Sequence, residues 1–263
     1  MKRVLVLWVV LVATGLTAEA QTPQAEAVKE PQFEVASIRE NIKSVDGRTH
    51  IYRHPDDGQF VAINASLRAL LQFAFDMPDA QFLNAPDWAR SKNFDIEAKA
   101  DSAVDDWMRK QDGDHAKAAK QKMVQALLAE RFGLVAHEEK RDLPVYALVV
   151  DKRGSKLEEA KGGAKFDGGR SQIVDQGATV AVLADQLARV VGRPVVDQTG
   201  LPGRFDVKLQ WAADDRPAAA SDAGDGGPSI FTAVQEQLGL KLEPTKAPVP
   251  VLVIDHVQMP SPN

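Results

Sequence analysis

The sequence contains no cysteine, which removes disulfides, thiolate metal ligands and cysteine nucleophiles together. It also has no excess of positive charge: 32 Lys and Arg face 37 Asp and Glu, for a formal net charge of −5. Proteins that grip a phosphate backbone draw affinity from clustered Lys and Arg, so this balance excludes nucleic acid as the expected partner. Gly-x-Ser-x-Gly and His-Glu-x-x-His are both missing, and "GLPGRF" (200–205) lacks the spacing and preceding strand of a nucleotide-binding loop. "HIYRH" (50–54) spaces His50 and His54 suggestively. Its polar and proline flanks point to a loop or strand, where that spacing fixes no metal geometry. His137 in "HEEK" has no second histidine, while His115 and His256 stand alone. "DGDHAKAAK" (112–120) lacks the acidic series of a calcium loop. Asp105-Asp106, Glu138-Glu139 and Asp214-Asp215 lie in polar surroundings, as solvated surface charge does. The sequence therefore assigns no catalytic residue, no metal site and no cofactor.

Long apolar runs are scarce as well. Val4 to Val12 is unbroken and apolar, but it falls short of the ~20 residues that span a bilayer. Lys2 and Arg3 precede it and Ala18-Glu19-Ala20 follows, the pattern of a signal peptide over 1–20 cut before Gln21. No cysteine follows the run, so a lipid-anchored precursor is excluded. Cleavage leaves no membrane span and a net charge of −6, and the expected location is periplasmic or secreted. Residues 21–31 are polar and rich in Pro, Ala and Glu, a tether. "GGAKFDGG" (162–169) and "AADDRPAAASDAGDGG" (212–227) can bury little and are expected to be exposed breaks.

What the sequence does have is a phrase written twice: "ERFGLVAHEEKRDLPV" (130–145) and "EQLGLKLEPTKAPVPV" (236–251). At a fixed offset of 106, positions 124–145 give six identities, Glu130, Gly133, Leu134, Lys140, Pro144 and Val145 meeting Glu236, Gly239, Leu240, Lys246, Pro250 and Val251. Average residue usage gives roughly one or two. Roles match too. Val124, Leu127, Leu128 and Phe132 recur at helical spacing, as do Ile230, Phe231, Val234 and Leu238, and each helix stops at a glycine suited to the left-handed cap. A short strand, a turn before Pro144 or Pro250, and apolar strands Val145 to Val150 and Val251 to Ile254 are predicted to follow.

Upstream, "NASLRALLQFAF" (64–75), capped by Asn64, and "GATVAVLADQLARVV" (177–191) predict helices. Each leads through a Pro-containing loop to an alternating strand opened by Phe-Asp, "FDIEAKA" (94–100) and "FDVKLQW" (205–211). Short strands precede the helices near 60–63 and 172–174, and "FEVASI" (33–38) adds an early one. The prediction is an α+β protein with an internal duplication: two related helix-strand-helix-strand-strand units, 32–161 and 170–263, with mixed sheets whose helices pack on one face. The units either pack against each other or share one pseudo-symmetric sheet.

"FEVASIR", "FVAINASLRALLQFAF", "PDWARSKNFDIEAKA", "LLAERFGLVAHEEKRDLPVYALVV", "GRPVVDQTGLPGRFDVKLQW" and "KAPVPVLVIDHVQMPSPN" together resemble the soil-associated exported protein family expanded in acidobacteria. The resemblance covers nearly the whole mature chain. It implies export and an envelope or secreted role, and it brings no catalytic residues with it.

Two loops hold equivalent places before the Phe-Asp strands, "LNAPDWAR" (83–90) and "GRPVVDQTGLPGR" (192–204). Trp88, Arg193, Asp197 and Thr199 are the candidate binding residues, because loops held by a scaffold carry function beyond their share and Trp and Arg anchor interfaces. The competing reading makes Trp88 a lid on the core and Asp197 and Thr199 the support of a tight turn. The expected function is a non-enzymatic envelope module that binds a protein, peptide or glycan. The alternative is an extracytoplasmic hydrolase assembled from dispersed Asp, Glu, His or Ser residues.

Overall fold

The computed structural model describes residues 31–42, 48–52, 57–162, 165–169, 171–212 and 227–260. The predicted signal peptide, nearly all of the tether, His54 and most of the 212–227 break lie outside them. From Pro31 onward the chain forms one compact unit.

The first half runs β1 (Phe33–Glu40), β2 (His50–Tyr52), β3 (Gln59–Ser66), α1 (Leu67–Phe75), a 3-10 turn (Asp79–Gln81), β4 (Phe82–Leu83), α2 (Trp88–Ser91), β5 (Asn93–Ala100), α3 (Ser102–Met108), α4 (Gly113–Phe132) and β6 (Val135–Val150). The second runs β7 (Glu158–Glu159), β8 (Lys165–Gly169), β9 (Gln172–Ala178), α5 (Val180–Val191), β10 (Val195–Asp197), β11 (Phe205–Gln210), α6 (Ile230–Leu238) and β12 (Leu240–His256). The fold is α+β, with three mostly antiparallel sheets among the described residues.

The sheets are ordered β1-β5-β3-β2, β7-β11-β9-β8 and β10-β6-β12-β4. Counted within each half, both outer sheets follow the order first, fifth, third, second. In the central sheet the two sixth strands pair antiparallel, and each half's fourth strand runs parallel to the other half's sixth. Asp142 faces Pro248 in the ladder, residues separated by the same offset of 106 that aligns the repeated phrase.

Neither of the two larger hydrophobic clusters belongs to one half alone; a third, around Met108 and Met123, lies within the first half. Leu252 and Ile254 of β12 are buried with Phe60, Leu70, Phe94 and Phe132 in the first cluster. Leu148 of β6 is buried with Leu183, Leu209 and Val234 in the second.

The structure corrects the strands around the prolines. No turn precedes Pro144 or Pro250; β6 and β12 run straight through. The reason lies in the ladder. The Asp151 amide donates to the Gly239 carbonyl, while the Tyr146 amide turns the other way, to Pro194. Odd-numbered residues therefore bond across the ribbon and even-numbered ones face outward. Pro144, Pro244, Pro248 and Pro250 all take outward positions, so their missing N–H removes no ladder bond. They also leave the ribbon's outer edges short of donors, which discourages pairing with another sheet.

The cap on α1 is the second correction. Ser66, not Asn64, accepts from the Ala69 amide. Asn64 lies earlier, in a bulge of β3, at φ 53°, and Gly177 takes the corresponding place in β9 at φ 77°. The repeated Phe-Asp now has a physical cause. Phe94 and Phe205 are buried, and the neighbouring carboxylates hold the bulges: Asp95 accepts from the Asn64 amide at 2.8 Å and Asp206 from the Gly177 amide at 3.1 Å. Replacing Asp95 with Ala orphans that amide and removes an acceptor of the Asn41 side chain, which also donates to it at 2.8 Å. The expected loss is about 1–3 kcal/mol in chemical denaturation.

Part of the predicted break at 162–169 is strand: Lys165–Gly169 forms β8 on the edge of its sheet. "DGDHAKAAK" opens α4, with Asp112 as its cap.

Candidate functional site

An open groove of about 530 Å³ lies where the halves meet. One wall is the end of α1 and the chain after it, Phe75 to Pro78 with Gln81; the opposite wall is Ala181, Ala184, Asp185 and Ala188 of α5. Pro194 to Asp197, including β10, and Pro248 to Pro250 of β12 close the remaining sides. Gln81 ties two walls together, its amide donating to the Pro250 carbonyl at 2.5 Å.

The lining is mostly aliphatic and proline, and its charged members are all acidic: Asp76, Asp185 and Asp197. They differ in circumstance. Asp76 caps α1 in the left-handed conformation and accepts from Lys117 at 2.8 Å and Arg189 at 2.7 Å. Burial pushes its pKa up, but the hydrogen bonds and charges of Lys117 and Arg189 outweigh burial and hold it below the usual carboxylate range. Asp197 accepts from the Thr199 amide at 2.9 Å and hydroxyl at 2.7 Å. The Asp185 side chain has no hydrogen bond and no contact ion pair among the described residues. The residue is exposed, and only partial burial of its carboxyl raises its pKa; the Arg189 and Lys117 charges oppose this and the Asp76 charge adds to it.

The four residues singled out from the sequence do not share one hollow. Trp88 is half-buried against the first core, edge-on to Phe94 at 6.4 Å between ring centres. Its loop lines a smaller hollow of about 350 Å³ with Arg68 and Arg90. Arg193 lays its guanidinium 4.9 Å from the centre of the Tyr146 ring. Thr199 supports the turn, its hydroxyl also accepting from the Leu201 amide at 3.2 Å. Of the four, Asp197 alone lines the groove. Sequence reasoning missed Asp76 and Asp185, whose surroundings come from contacts between distant segments.

A second charged cluster lies on the central ribbon. His137 engages Asp255 at Nδ1 (2.8 Å) and Glu139 at Nε2 (3.0 Å), and Glu139 also accepts from Arg141 at 2.6 Å. With both ring nitrogens engaged, this histidine has no free nitrogen to act as a base. The hydrogen bonds to Asp255 and Glu139 raise its pKa. Because the folded value exceeds the unfolded one, these contacts support the fold below the unfolded pKa and are lost as pH rises through the folded one. NMR titration should find the His137 midpoint above that of an ordinary histidine, and Asp255→Asn should lower it.

Among the described residues no helix is long and apolar enough to cross a membrane, and no group of His, Cys, Asp or Glu is placed to hold a metal ion. A family model described as a protein of unknown function (DUF3738) matches residues 68–257, from the first turn of α1 past the end of β12; the chain belongs to that family. No curated protein and no solved structure matches it.

Proposed function

We propose that this member of a family of unknown function is an exported, non-enzymatic binding module of the bacterial envelope or its surroundings. Its contact site in this reading is the groove between the halves. One observation carries the proposal: the groove is walled mostly by aliphatic and proline side chains, with carboxylates as its only charges. That lining suits recognition, in which apolar surface supplies affinity and a few polar groups supply orientation. It holds no Ser, Thr, Cys, His or Lys, so a nucleophile with its base could come only from the aspartates. The amino-terminal pattern and the resemblance to a soil-associated exported family support the location. The loop at 192–204 belongs to the site through Asp197, with Arg193 and Thr199 beside it; Trp88 and its loop form a separate edge.

The test is affinity capture of a partner from the native envelope by the mature protein, repeated with Ala181→Trp, which places an indole in the groove from an exposed position of α5. Specific capture by the wild type and its loss in the folded variant are expected. Capture unaffected by Ala181→Trp removes the groove from the proposal. The raised pKa of Asp185 is the observation that favours a hydrolase. Turnover of an envelope substrate that Asp185→Asn abolishes would establish that reading instead.

A further inference from the structure

From the correspondence of α1 and α5 we infer that the groove receives an arginine side chain from an extended segment of a partner protein, in the place that Arg68 occupies in the other half. This deepens the binding reading above and rests on it. The two helices start alike: Ser66 and Thr179 are caps accepting from the Ala69 and Val182 amides, and each follows a bulged strand. Counting from these caps, Ala181, Ala184 and Ala188 of α5 stand where α1 has Arg68, Leu71 and Phe75. All three alanines line the groove. The second half has thus exchanged large side chains for methyl groups along one helix face.

Arg68 shows what fills that space when it is filled. It is 6% exposed and donates to the Phe82 carbonyl on β4 at 2.9 Å, to the Asp79 carbonyl at 2.6 Å and to the Asp79 carboxylate. Ala181, in the corresponding place, is exposed.

The second half retains acceptors for such a group. The Tyr146 amide donates to Pro194 O and the Gln198 amide to Leu148 O. By the alternation of a parallel ladder, Val195 and Asp197 therefore turn their main-chain groups away from β6. Asp185 is the groove carboxylate whose side chain has no hydrogen bond or contact ion pair among the described residues, and it is exposed to an incoming group. A guanidinium beside it compensates the carboxylate charge, and its planar fork suits a carboxylate together with a main-chain oxygen. A protein segment, rather than a free guanidine, fits the rest of the hollow. Apolar surface continues past the cation position to Met77, Pro248 and Pro250, and the outward amides and carbonyls of β10 can pair an extended backbone.

The probe is acetyl-Ala-Val-Arg-Val-Ala-amide, titrated into the isotope-labelled mature protein and followed by amide NMR, with the citrulline peptide as an isosteric neutral control. Saturable shifts are expected at Ala181, Asp185 and Val195 to Asp197, with the citrulline peptide at least about tenfold weaker. Ala181→Arg supplies the side chain from within and should abolish binding, and Asp185→Asn should weaken it by about tenfold or more while the spectrum stays folded. Equal affinity for the two peptides, shifts confined to other surfaces, or full binding by Ala181→Arg overturns the inference. If the arginine peptide fails while Ala181→Trp still abolishes partner capture, the cation specificity falls and the binding reading stands. If capture also ignores the groove, both fall.

Discussion

Residues 32–161 expressed alone should not fold cooperatively. They contain most of the first core but lack Leu252 and Ile254, which β12 buries there at 3% and 4% exposure. They also lack the strand that covers β6 along its length, and the partner of β4. A strand of 16 residues left with an open edge is a template for self-association. Lost burial of two large aliphatic side chains alone costs about 3–6 kcal/mol, at ~1.5–3 kcal/mol each, a large share of the about 5–15 kcal/mol that holds a typical domain. The fragment should show no cooperative thermal transition and should self-associate in sedimentation. Co-expression with 170–263 should restore a soluble complex. A monomeric fragment with a sharp transition would show that the halves are independent domains.

Gly239→Ala should be the most damaging single substitution of a glycine. Gly133 and Gly239 end α4 and α6 in the same conformation, at φ 60° and 63°, which L side chains adopt at a cost of about 1 kcal/mol or more. Their surroundings separate them. A Cβ on Gly133 meets the flexible Gln258 side chain at 3.4 Å, whereas one on Gly239 overlaps the Gly154 carbonyl oxygen and lies 2.9 Å from the Lys156 amide nitrogen. The turn at Gly154 is pinned by main-chain bonds from Asp151 to Gly239 O and from Lys156 to Leu238 O, so it cannot yield without losing them. Gly239→Ala should cost about 3 kcal/mol or more, combining conformational strain with those bonds. Gly133→Ala should cost about 1–2 kcal/mol. Denaturant titration of both variants checks the difference; equal losses would mean that the Gly154 turn moves aside freely.

Local signals made much of the fold legible. Helical spacing placed α1, α4, α5 and α6, the glycine stops marked the ends of α4 and α6, and alternation found β5 and β11. The 106-residue offset marked a pair of residues that face each other in the central ladder. Features that depend on partners far along the chain were not legible. Pro144 and Pro250 read as turns because their ladder positions are visible only once β6 and β12 are paired. Asn64 resembles a helix cap, and its place in a bulge depends on Asp95, 31 residues on. The groove was hidden for a related reason. No motif marks it; it arises from alanines on α5 where α1 has Arg68, Leu71 and Phe75, and from walls that four separate segments contribute. Laying the two helices side by side from their caps shows the exchange, but not that it opens a hollow. Trp88 and Thr199 stood out as chemistry-bearing types in loops, and the structure gives both of them local packing or turn contacts.

The role of the groove is tested most directly by hydrogen–deuterium exchange on the mature protein, with and without the partner it captures. Binding in the groove predicts slowed exchange in α5, in Val195 to Asp197 and around Val249, with the outer sheet β1-β5-β3-β2 unchanged. Protection confined to that outer sheet or to the loop at 83–90, with α5 exchanging as in the free protein, would contradict it.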